Sequence, residues 1–147
     1  MHLLASVESR IDCPPARVFA LISDMERFAD WFPEVLEITG ADQLPPATVG
    51  KRYLERVRVP LRGERRIEIS VKEVEADRRF VTEGRFPPLL PRMEVQLQAE
   101  AGGTRLCWRM YSRGRGWPLR LLLLLARRTL QRRAERGLER LKELLEG

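Results

Sequence analysis

The chain predicts an α+β fold in which a curved seven-stranded antiparallel sheet wraps around one long C-terminal helix. Three observations predict it. Apolar residues recur with a period of two near the N-terminus and again in six segments between Val35 and Arg113, the alternation of half-buried strands. From Trp117 to Gly147 the period lengthens to that of one long amphipathic helix. Between the first strand and the remaining six lie two short helical stretches. A helix of that length must bury an apolar stripe, and the only large partner is the concave face of the sheet. Such a pairing tends to leave a hollow.

Taken in order, Leu3, Ala5, Val7 and Ser9 alternate with Leu4, Ser6, Glu8 and Arg10, which predicts a first strand with its odd positions inward. Pro14 and Pro15 end it and suit the first turn of a helix, in which Val18, Phe19, Leu21 and Ile22 have helical spacing. Ser23 and Glu26 have the spacing of a capping box, so a second short helix is expected to run to about Asp30, where Trp31, Phe32 and Pro33 break it. Strands follow near 35–42, 50–59, 63–76, 79–86, 93–101 and 104–113, separated by turn-rich segments. Met93, Val95, Leu97 and Ala99 alternate with Glu94, Gln96, Gln98 and Glu100, one face dry and the other wet. On the long helix the stripe is Leu119, Leu123, Ala126, Leu130, Ala134, Gly137, Leu138, Leu141 and Leu145, with the arginines mostly away from its centre. The small residues Ala126, Ala134 and Gly137 either permit close approach to the sheet or leave room beside it.

Length and composition fit one domain over residues 1–147, large enough for a core and one internal cavity. The apolar run at Met1–Val7 is too short for a secretory signal before Glu8 and Arg10, and the run from Leu121 stops at Arg127 and Arg128, short of a membrane span. Cys13 and Cys107 lie far apart without metal-like spacing, which suits reduced thiols in a cytoplasmic protein. The net charge is +6, and the segment from Trp117 onward contributes +4 of it, from seven Arg and one Lys against four Glu. The absence of asparagine and the excess of arginine over lysine suggest a thermophile, or a GC-rich genome.

The segment from Ile11 to Asp24, with its Pro14, Pro15, Val18, Phe19, Ser23 and Asp24, resembles the opening of the START and Bet v 1-like (SRPBCC) superfamily. Together with Phe28, Ala29, Asp30, Trp31, Phe32 and Pro33 it is similar to that superfamily's bacterial polyketide cyclase/dehydrase or coenzyme Q-binding START branch. The resemblance implies a helix-grip fold over essentially the whole chain, carried specifically by the first third. It implies binding or transport of a hydrophobic small molecule, such as a lipid, a quinone or a polyketide-like compound. These segments are structural signatures and specify neither a reaction nor a ligand.

Successive turns of an antiparallel meander alternate between the two ends of the sheet. The segments 60–63, 86–92 and 113–118 therefore share one end, and they carry Leu61, Leu89, Leu90 and Trp117. Large apolar residues in loops ask for a reason, and these four are the expected rim of a cavity mouth. The expected cavity residues are Tyr53, Glu55, Val57, Ile69, Phe80, Thr82, Phe86, Val95, Trp108 and Met110 on the sheet, with Leu123, Ala126 and Leu130 on the helix. Aromatic and methionine side chains suit a flat or flexible apolar ligand. Glu55 is in register with Tyr53 and Val57; it either points inward, needing a partner or a raised pKa, or marks a strand end reaching water.

The sequence offers little catalytic machinery. Its one histidine is His2, and no glycine-rich phosphate loop or metal-ligand spacing occurs, so neither a metal nor a cofactor is expected. Glu55, Tyr53, Arg85 or Arg109 could still do acid–base work if one points inward. A cyclase/dehydratase-like enzyme and an interaction protein acting on a macromolecular partner are therefore the alternatives to a carrier. Leu121, Leu122, Leu124 and Leu125 make the first half of the helix apolar nearly all round. Burial under the rim loops, peripheral membrane contact helped by Arg113, Arg115, Arg120, Arg127 and Arg128, and a homodimer contact all account for that. Nucleic acid is a poor fit, because acidic residues intersperse the basic face and no stacking platform accompanies it.

Overall fold

The computed structural model describes residues 1–59 and 62–147. The elements are β1 (His2–Ile11), α1 (Pro15–Ile22), a 3-10 helix (Met25–Asp30), β2 (Val35–Gly40), β3 (Arg52–Val59), β4 (Gly63–Glu75), β5 (Arg79–Arg85), β6 (Pro91–Glu100), β7 (Gly103–Ser112) and α2 (Trp117–Glu146). The seven strands form one antiparallel sheet in the order β1-β7-β6-β5-β4-β3-β2, so only the β1–β7 pairing joins strands distant in sequence. This is the α+β helix-grip architecture expected from the sequence. Register irregularities in β1, β2 and β4 bend the strands and help curl the sheet around α2.

Two local expectations are corrected. The irregularity between Leu3 and Ala5 turns Leu4 inward and leaves Leu3 46% exposed, so the odd positions of β1 face the core only from Ala5 onward. The capping box does not form. The Ser23 hydroxyl instead donates to the Phe19 carbonyl at 2.6 Å, closing α1, and Glu26 accepts the Gly40 N–H of β2 at 3.0 Å. Other partners claim both side chains, and the second helix is a 3-10 helix without a side-chain cap.

Helix α2 is fastened along the β1 edge of the sheet. Gln131 exchanges two hydrogen bonds with the Ser6 backbone, each 3.0 Å, Lys142 donates to the Arg10 carbonyl at 2.7 Å, and Glu146 accepts the Asp12 N–H at 2.8 Å. These contacts satisfy backbone groups that an edge strand would otherwise leave open. On its other flank, toward β2 and β3, α2 meets the 3-10 helix corner at Gly137. A Cβ there would lie 3.0 Å from the Phe32 ring and 3.4 Å from the Trp31 carbonyl oxygen, so a glycine lets the helix and the corner touch.

That corner is aromatic. Phe28 packs edge-on to Trp31 and stacks on Phe32, both at 4.9 Å between centroids, and Phe32 stacks on Trp108 of β7 at 5.4 Å. With Tyr53, Phe80, Ala134, Leu138, Leu141 and Leu145 it makes the main core. A separate small cluster of Leu4, Leu119 and Leu123 closes the far end, and Leu89 and Met110 touch both clusters.

Candidate functional site

The two clusters are separated by a cavity of about 120 Å³ between the concave sheet face and the first half of α2. Strand alternation supplies its floor: Glu55, Val57 and Val59 from β3, Ile67 and Ile69 from β4, Thr82 from β5, Met93 from β6, Trp108 and Met110 from β7. Phe86, Leu89 and Pro91 close the hairpin end, and Met25, Phe28, Phe32 and Pro33 form the aromatic back wall. Leu122, Ala126, Leu130 and Arg133 of α2 make the roof. At Gly84 a Cβ would sit 3.0 Å from Pro91 and 3.2 Å from Ile67, so this wall is already tight without a side chain.

Nine of the expected cavity residues are brought together in this wall: Glu55, Val57, Ile69, Thr82, Phe86, Trp108, Met110, Ala126 and Leu130. Four others lie beside it. Tyr53, Phe80 and Val95 are fully buried in the main core, and Leu123 is buried in the small cluster with Leu4 and Leu119. Burial and the Asp24 charge push the Tyr53 phenol up to about 12. Of the expected rim, Leu89 lines the cavity, whereas Leu90 has a positive φ of 48° and turns to the outer face beside Arg113. Trp117 stands 76% exposed, away from the wall, and Leu61 lies outside the described residues.

Sequence reasoning misses Leu4, Leu122, Arg58 and Arg133 in the wall, and with them the back wall of Met25, Phe28, Phe32, Pro33 and Val35. Leu4 depends on an irregularity that alternation does not announce. Arg133 carries a usable signal: it follows Ala126 and Leu130 at helical spacing, and only its charge argues against it. Its guanidinium donates to the Arg58 carbonyl, and Arg58 pairs with Glu34 at 3.4 Å. Glu34, Arg58 and Arg133 thereby strap α2 to β3 across the side of the cavity that faces away from β1. Burial pulls the Arg133 pKa down.

Glu55 is the acidic group in the wall. It is 7% exposed and lies between Ile38 and Ile67 in the ladder, and its carboxyl makes no hydrogen bond among the described residues. Burial alone raises its carboxyl from 4.5 to about 7, so it carries its proton up to neutral pH. The Trp108 indole N–H is also buried without a partner among the described residues. Among those residues no group of three or more His, Cys, Asp or Glu side chains could hold a metal ion, both cysteines are free thiols, and no helix is long and apolar enough to cross a membrane.

A curved sheet gripping a long terminal helix over an apolar cavity defines a protein of the START/Bet v 1-like (SRPBCC) class. Within that class the chain belongs to the polyketide cyclase / dehydrase and lipid transport family, whose model matches residues 3–146. Solved structures share the fold at low identity. TTHA0849 from Thermus thermophilus aligns with a TM-score of 0.75 and 20% identity, covering 95% of this chain and 94% of its own. DR_A0006 from Deinococcus radiodurans aligns at 0.72 and 16%, covering 97% and 96%. The di-domain ARO/CYC StfQ from the steffimycin biosynthetic pathway aligns at 0.76 and 12%, covering 99% of this chain and 51% of its own. A search of curated proteins gives no significant match.

Proposed function

We propose that the protein binds or carries a hydrophobic small molecule, lipid, quinone or polyketide-like, in the cavity between the sheet and α2. The observation that carries this reading is an apolar cavity left open in an otherwise close-packed interior, with Glu55 and Thr82 as its buried polar groups. Protein interiors pack at crystal density, and a void of this size forfeits contacts that a ligand restores. About 120 Å³ is a little below the roughly 150 Å³ of a dry cavity that takes benzene, so the cavity as it stands matches one small ring. A larger ligand fits by moving Met93 and Met110, whose thioether chains adapt readily, and the half-buried Leu122 and Leu130. The test is organic extraction of protein purified from its native host, followed by mass spectrometry. A stoichiometric lipophile, absent from an Ala126→Leu variant, supports the reading; extracts identical to a blank, with no uptake of added apolar probes, sink it.

A second feature supports docking of this carrier on an anionic lipid surface. Trp117, Leu121, Leu124 and Leu125 are exposed on the first half of α2, Leu124 to 82%. Arg115, Arg120, Arg127 and Arg128 surround them, and no acidic residue occurs between Glu100 and Glu135. Apolar side chains inside an unbroken basic field suit acyl chains beneath anionic headgroups. A second copy would bring like charges together. Flotation with vesicles containing phosphatidylglycerol should recover the protein, and phosphatidylcholine vesicles should not. Equal recovery, or a dimer persisting at low salt, would assign the face differently.

A further inference from the structure

Among the described residues, nothing answers the buried carboxyl of Glu55. Its neighbours across the inner face are Ile38 and Ile67, and its carboxyl makes no hydrogen bond or ion pair among the described residues. Buried polar groups are nearly always paired, because an unmade bond costs the full desolvation of the group. An unanswered carboxyl in the wall of an apolar cavity is therefore half of an interaction whose other half comes from outside.

We propose that the cavity selects a neutral lipophilic molecule bearing a carbonyl oxygen, which accepts a hydrogen bond from the carboxylic acid of Glu55. This rests on the reading of the cavity as a ligand site. A protonated carboxyl offers an O–H donor as well as an acceptor, and a ketone or quinone oxygen satisfies that donor while introducing none of its own. A cationic ligand is opposed by Arg58 and Arg133, which line the cavity wall, and by the net +6 of the chain. An anionic ligand would lie in a wall whose acidic group gains its own charge near neutrality.

Charged side chains on the elements around Glu55 include Arg52, Arg56 and Arg58 on its own strand, Glu37 on β2, Arg65, Arg66 and Glu68 on β4, Glu26, Arg27 and Asp30 on the 3-10 helix and Arg133 on α2. Among the described residues only Arg58 and Arg133 of these reach the cavity wall. None of these groups perturbs Glu55, which responds to burial alone and titrates near 7. Donation to a ligand carbonyl is therefore available in mild acid and withdrawn in alkali.

Indane and 1-indanone share one skeleton and differ by the carbonyl, so their binding to the full chain isolates it. At pH 5.5 the wild type should prefer 1-indanone to indane more strongly than Glu55→Leu does, by about tenfold. Glu55→Gln, which keeps a donor, should retain most of that preference, and the wild type should lose it by pH 9. The ketone band of bound 1-indanone should move to lower wavenumber in the wild type at pH 5.5 and stay unshifted in Glu55→Leu. Equal preference in wild type and Glu55→Leu, with both probes bound, overturns the carbonyl proposal and leaves the ligand cavity standing. Failure of both probes to bind the wild type overturns both. Tighter binding of 1-aminoindane than of 1-indanone assigns Glu55 to a cation and also overturns the proposal.

Discussion

The two halves of α2 cover the same sheet and do opposite things with it. From Ala134 to Leu145 the helix lies against an interior filled to contact: Phe28, Trp31 and Phe32 interlock, and a methyl group at Gly137 would push the Phe32 ring aside by a few tenths of an ångström. From Leu122 to Arg133 the helix roofs a cavity. The sheet is continuous beneath both halves, and the difference comes from what the short helices insert. They bring their aromatic rings to one end of the groove and leave the other to Val57, Val59, Ile67 and Gly84. The packed half fixes the helix, so the hollow half can stay hollow without the fold collapsing onto it. Small residues on a helix stripe therefore have no single meaning: at Gly137 the missing side chain brings surfaces together, and at Ala126 it leaves space.

The largest expected effect tests the hollow half. Glu55 holds its proton more tightly in the folded protein, about 7 against the ordinary 4.5. Its contribution to stability is therefore intact below pH 4.5, is lost as the pH rises toward 7, and declines no further above that. The advantage of Glu55→Gln over wild type should grow by about 3 kcal/mol across this window in urea unfolding and then level off. An advantage independent of pH would mean that Glu55 reaches water and that the hollow half is wet. In the packed half, Gly137→Leu should cost about 2 to 3 kcal/mol at any pH, because it overpacks Phe32 and shields the Trp31 carbonyl. A neutral Gly137→Leu would erase the distinction between the halves.

Both halves are legible in the sequence to different depths. Period-two alternation marks Glu55, Ile69, Thr82 and Trp108 as inward, because a strand's faces follow from parity alone. Parity cannot separate Val57, which borders space, from Tyr53, which sits in the packed core a few residues away. That distinction depends on where the 3-10 helix puts its rings, a long-range fact with no local signal. Leu4 and the Ser23–Glu26 pair mislead for a related reason: a register irregularity and competing hydrogen bonds override local pattern. Arg133 is readable from its spacing, yet its charge argues for the solvent face, and only the carbonyl of Arg58 explains its place in the wall.

Filling rather than emptying is the third way to test the contrast, with a smaller expected effect. Ala126→Leu adds apolar volume on the same stripe as Gly137→Leu but over open space, so it should stabilise by about 1 kcal/mol while abolishing uptake of indane. Equal costs at positions 126 and 137 would show that the cavity closes on itself and offers no room.

The smallest expected effect lies on the outside of the hollow half. Leu124 is 82% exposed and packs on neither cluster, so Leu124→Ser should change stability by less than about 0.5 kcal/mol. Its effect should appear instead in flotation, as a several-fold loss of recovery on phosphatidylglycerol vesicles with indane binding unchanged. The physical reason is a division of labour within neighbouring turns of one helix. Leu122 and Ala126 face the cavity, whereas Leu121, Leu124 and Leu125 face out, so any lateral shift that seats the outer leucines in a lipid surface also moves the cavity roof. If Leu124→Ser leaves flotation untouched, the exposed leucines take no part in lipid contact, and the basic field around them acts alone.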